Sequence, residues 1–191
     1  MEVRHMTRSV VWAGLCLIVF QSSALAQGDT PESVVAQLMA ASRANDWGRV
    51  AGLTHPAALH QLRLLMDPIL MGERPALDTA RQMLFGLPSR EAAAAASDSA
   101  IMVGLMHFGV SQQPNAADAL RSSSYRLLGT VQEGSDTVHV VGRIAMNFRG
   151  SAVTQIEVTS LTRFGGTWRC LLRGDWTAMA SRLRQALQTP R

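Results

Sequence analysis

Tyr125–Phe148 reads YRLLGTVQEGSDTVHVVGRIAMNF, and the period of its apolar residues decides the fold. Val138, Val140, Ile144, Met146 and Phe148 fall on every second position, the repeat of a strand with one buried face. EGSD (Glu133–Asp136) separates this run from YRLLGTVQ and supplies the turn residues of a hairpin. Two more runs follow the same way, AVTQIEVTSLTRF (Ala152–Phe164) after a glycine turn and TWRCLLRG (Thr167–Gly174) after Gly165-Gly166. Four strands joined by short glycine-containing turns predict an antiparallel meander from Tyr125 to Arg173.

Upstream the period is helical. Thr30-Pro31-Glu32 caps and opens a helix whose stripe is Val34, Val35, Leu38, Met39 and Ser42. Asn45-Asp46 breaks it and caps a short turn, Trp47–Leu53. Thr54-His55-Pro56 begins a third segment with Leu59, Leu62, Leu65, Met66 and Ile69 inward, which Pro68 should end or kink. Residues 73–121 also read as helix: PALDTARQMLFG stops at Gly86, SREAAAAASDSAIMVGLMHFG runs as one helix from a Ser89 cap to Gly109, and SQQPNAADALRSSS is a loop around a short turn. Asp175 can cap a last helix, WTAMASRLRQAL, with Trp176, Met179, Leu183 and Leu187 on its stripe. Helices first and strands second is the α+β class, with helices covering one face of the sheet.

The amino terminus sets the expected compartment. MEVRHMTRS carries Arg4 and Arg8, Val10–Phe20 is an apolar run of eleven, and Ala24-Leu25-Ala26 is a small-residue cleavage site. Eleven residues are too few to span a bilayer, which takes about 20. Residues 1–26 therefore read as an export signal, placing the mature chain in the periplasm or outside the cell, with no membrane span. Residues 27–191 then make 165, the size of a single domain. Cys16 leaves with the signal, so Cys170 has no internal disulfide partner; its alternation with Trp168 and Leu172 points to burial.

Cleavage removes two of 18 basic residues and one of 14 acidic ones, leaving a net charge of +3. Every basic residue is arginine. Guanidinium forks suit phosphates, but the arginines are scattered and no aromatic residues interleave with a basic block, so nucleic acid is not an expected partner. Genomic coding bias accounts for the absence of lysine, as it does for the abundant alanine and glycine.

Few residues invite chemistry. His55 and His60 lie five apart, about 500° around a helix, so their rings diverge and a shared metal is not expected. His55 precedes Pro56 and reads as a cap that can still look into a pocket. His107, in GLMHFG, reads as a core histidine, and His139 as a residue of the solvent face near Arg143. No nucleophile elbow, phosphate loop, Cys-x-x-Cys or catalytic carboxylate pair is present in the sequence. In RGDW (Arg173–Trp176), Asp175 is better explained as a helix cap than as part of an adhesion tripeptide.

SRANDWGRVAGLTHPAAL (Ser42–Leu59) resembles the N-terminal hairpin of nuclear transport factor 2-like proteins, the superfamily of ketosteroid isomerase-like and polyketide cyclase cone folds. The meander sits where that superfamily places its curved sheet. The resemblance implies a cone with a pocket between helices and sheet, and often a homodimer through the sheet. Residues 73–121 depart from it, since a strand pair is expected there and the segment reads as a helical insertion or variant. The isomerases' Tyr and Asp have no counterpart motif, so no catalytic residue carries over and fold alone gives no activity. The expectation is an exported, non-catalytic domain whose pocket binds a small apolar molecule or a partner protein, without cofactor or metal. Trp47, His55, His107, Tyr125 and Trp168 are the residues expected to reach the cavity. The alternatives are an isomerase, cyclase or hydrolase using His55 or His107 as general base, and a structural homodimer.

Overall fold

The helical half begins with a reciprocal cap. In a computed structural model of the chain, which describes residues 29–113, 115–148, 150–174, 176, 178, 182 and 185, Thr30 and Ser33 exchange side chain and backbone hydrogen bonds ahead of α1 (Pro31–Arg43). The expected signal segment, residues 1–26, lies outside the described residues. So do Asp175 and most of the last expected helix.

Asn45 takes a left-handed φ of 55° to end α1, and Asp46 accepts the Arg49 N–H at 2.9 Å to open α2 (Trp47–Leu53). His55 then caps α3 (Pro56–Leu70): its Nδ1 accepts the Ala57 N–H at 3.0 Å. Pro68 lies inside the final turn of α3 and does not end it; the helix runs on to Leu70. Gly86, at φ 69°, closes α4 (Pro75–Phe85) in the left-handed conformation glycine adopts without strain.

The single helix expected from Ser89 to Gly109 is two helices. Ser89 caps α5 (Arg90–Ala95), the chain opens at Ala96, and Ser97 accepts the Ala100 N–H at 3.1 Å to start α6 (Asp98–Ser111). The break is held from outside, because Arg63 donates to the carbonyls of Ala93 (2.7 Å) and Ala96 (2.6 Å). α6 continues through Gly109, and α7 (Ala116–Arg121) completes the helical half. Residues 73–121 thus carry helices and no strand among the described residues.

The sheet has four strands in sequential antiparallel order: β1 (Ser124–Glu133), β2 (Thr137–Phe148), β3 (Ser151–Phe164) and β4 (Thr167–Cys170). A bulge at Leu127–Gly129 re-phases β1 against β2, so Tyr125 and Thr130 lie on the same face although five residues apart. β4 is shorter than its apolar run. Leu171 N–H still donates to Ser160 O at 2.8 Å, but Leu172 turns away to pack on the helical core.

Two clusters hold the molecule together. α6 is apolar on nearly every side, as a central helix must be, and α2, α3 and α4 pack on it around Leu62, Met66, Ile69, Leu84 and Ile101. The second cluster joins the layers: Val34 and Val35 of α1 and Leu53 of α2 meet Val138, Val140, Leu161, Trp168 and Cys170 of the sheet. Each of these aliphatic side chains contributes about 1.5–3 kcal/mol on leaving water. The opposite sheet face stays open, with Val131, Ile156 and Val158 half or more exposed. The fold is α+β, helices on one face of a four-stranded antiparallel meander.

Candidate functional site: an apolar cavity beside the layer junction

α1 reaches the sheet with Val34 and Val35; farther along, Met39, which still packs against that junction, and Ser42 also border open space. That space is a cavity of about 590 Å³, within the range of sites for small organic ligands. Its walls come from Trp47 of α2, Leu105, Met106 and Val110 of α6, Leu120 of α7, Ile144 of β2, and Arg173, Trp176 and Arg182 beyond β4. A narrower recess of about 130 Å³ shares Met39, Ser42, Met106, Arg173 and Trp176 and continues inward to Thr54, Thr159, Glu157 and Cys170.

The polar groups cluster at the inner end. Glu157 is a buried carboxylate, and Arg173 Nη1 meets its Oε1 at 2.8 Å. Tyr125 lies across Gly142, the residue paired with Glu157; a Cβ at Gly142 would fall 2.1 Å from the tyrosine ring. Burial, then the negative charges of Glu157 and Glu32, raises the Tyr125 hydroxyl above its ordinary pKa. That hydroxyl is buried and has no hydrogen-bond partner among the described residues. The Cys170 thiol is pushed up to about 12, chiefly by burial, so it stays protonated and packs as a small apolar group.

The residues expected at the pocket are not brought together. Trp47 lines the large cavity. Tyr125 and Trp168 lie in the layer junction, where Trp168 is buried and Arg163 stacks 4.7 Å from its ring centroid. His55 spends Nδ1 on its cap and sets its ring edge-on to Phe164, 5.1 Å between centroids. His107 is exposed on α6 rather than held in the core, because α6 buries Ile101, Met102 and Leu105 and turns this position outward. His60 pairs with Asp98 at 3.2 Å on the surface, away from His55. Leu105, Met106, Leu120, Ile144, Trp176 and Arg182 were not expected at a cavity, because they come from several elements distant in sequence and no single period links them.

His139 occupies a different position from the pocket. Its Nδ1 lies 2.9 Å from Ser160 Oγ and its Nε2 2.6 Å from Glu133 Oε2, a chain of polar side chains across β3, β2 and β1 on the open sheet face. It ties three strands together, with Glu133 largely in solvent. Among the described residues, no three His, Cys, Asp or Glu side chains are grouped to hold a metal ion, and no helix is long and apolar enough to cross a membrane. No family model, curated protein or solved structure matches the chain.

Proposed function

We propose that this chain is an exported, non-catalytic binding domain that holds a small, predominantly apolar molecule between its helices and its sheet. One observation carries the reading: the cavity of about 590 Å³ walled by Met39, Trp47, Leu105, Met106, Val110, Leu120, Ile144 and Trp176. Such a lining gains from excluding water and, among the described residues, offers no pair of groups placed to move a proton to and from a bound molecule. The signal-like start supports export, and the likeness of Ser42–Leu59 to the nuclear transport factor 2-like hairpin supports a pocket between layers.

Two tryptophans in the wall make binding directly readable. Titrating the purified protein with dodecan-1-ol should change tryptophan emission saturably. At a free concentration a hundred times Kd, about 2.7 kcal/mol of added stability should raise Tm by several degrees. An emission and a Tm that stay flat across the titration would count against the reading.

A further inference from the structure

The charge lining the cavity specifies the ligand more closely than its apolarity does. Among the described residues the charged side chains lining the large cavity are Arg173 and Arg182, and the carboxylate of Glu157 lines only the narrower recess behind it. Arg173 is matched by Glu157 at 2.8 Å. Arg182 has no ion pair among the described residues. The wall therefore presents tryptophan, methionine and aliphatic surface with one positive charge left over.

Resting on the binding role proposed above, we infer that the cavity takes an amphipathic monoanion, an apolar chain or ring system ending in a carboxylate that pairs with the Arg182 guanidinium. A guanidinium presents a planar fork of N–H donors that matches a carboxylate two-to-two. Arg182 is exposed, so the pairing is partly screened by solvent and weakens with added salt. The apolar body of such a ligand covers Leu105, Met106 and Trp176, while its head group stays at the arginine side.

Dodecanoate and dodecan-1-ol share a chain and differ in the head group, so their ratio of affinities isolates this claim. Both are titrated below their aggregation concentrations against tryptophan emission, with the wild-type protein and with Arg182→Gln. Dodecanoate should bind about tenfold more tightly than the alcohol, as one charge-assisted contact allows. That ratio should shrink severalfold in Arg182→Gln, and in the wild type with added salt. Equal affinities for the two probes, or a preference for dodecanoate undiminished in Arg182→Gln, would overturn the inference while leaving the binding reading in place. Binding of neither probe would remove both.

Discussion

Three arginines show how this chain uses a residue its composition leaves unexplained. Arg81 is buried, and its Nη1 donates to the carbonyls of Ile69 (2.9 Å), Leu70 (3.2 Å) and Gly72 (2.8 Å), closing the C-terminal end of α3, while Nη2 pairs with Asp78. Arg63 does the same at the end of α5, and Arg169 donates to Gly52 O of α2 at 2.6 Å. Helix ends leave carbonyls without partners, and one fork can reach several of them where a lysine offers a single point. At these positions the guanidinium geometry is put to use. Scattered positions in sequence could not show it, since each partner carbonyl lies nine or more residues away. Arg81→Met should lower stability by about 3 kcal/mol by stranding buried carbonyls, read as a lower urea midpoint at unchanged slope. Asp78→Ala, at a largely exposed carboxylate, should cost much less. Equal losses would contradict the capping role.

At the scale of elements, the strands were the most legible part. Val138, Val140, Ile144 and Met146 alternate because one sheet face is covered and the other is wet, and pairing follows that alternation from β1 to β4. The bulge in β1 escaped, because LLG carries no mark of which residue is extra. The break between α5 and α6 escaped for a related reason: Ser97-Asp98 caps a helix as readily as it sits inside one, and Arg63 decides the outcome from α3. What holds α6 in place is a close approach. A Cβ on Gly104 would lie 2.7 Å from Phe85 Cα and 2.8 Å from Phe85 O, backbone atoms of α4 that cannot swing aside, whereas one on Gly109 meets nothing within 4 Å. Gly104→Ala should therefore destabilise by about 1–3 kcal/mol despite alanine's better helix propensity. Gly109→Ala, in the same helix, should stabilise by up to about 1 kcal/mol. Thermal unfolding of the two variants checks the sign of each, and a stabilised Gly104→Ala would mean that α4 and α6 do not pack this closely.

For the whole molecule, sequence periodicity anticipated helices laid over one face of a meander, and the layer junction at Val34, Val35, Val140 and Leu161 meets that expectation. Apart from Trp47, the cavity's membership could not be anticipated. Ile144 reads as one more strand residue and Leu120 as part of a short turn, and only the packing of α7 against both β2 and α6 sets them around the same space. Aromatic and histidine residues drew attention in sequence because they stand out chemically. Most of the wall is made of aliphatic and methionine side chains that do not.

The central claim is that a ligand lies between the layers, touching helix and sheet together. Intermolecular nuclear Overhauser effects between dodecan-1-ol and the protein's methyl groups test it most directly. Simultaneous contacts from the alkyl chain to Leu105, Met106 and Leu120 on the helical side and to Ile144 on the sheet are the predicted result. Contacts confined to Val131, Ile156 and Val158 on the open sheet face would contradict it.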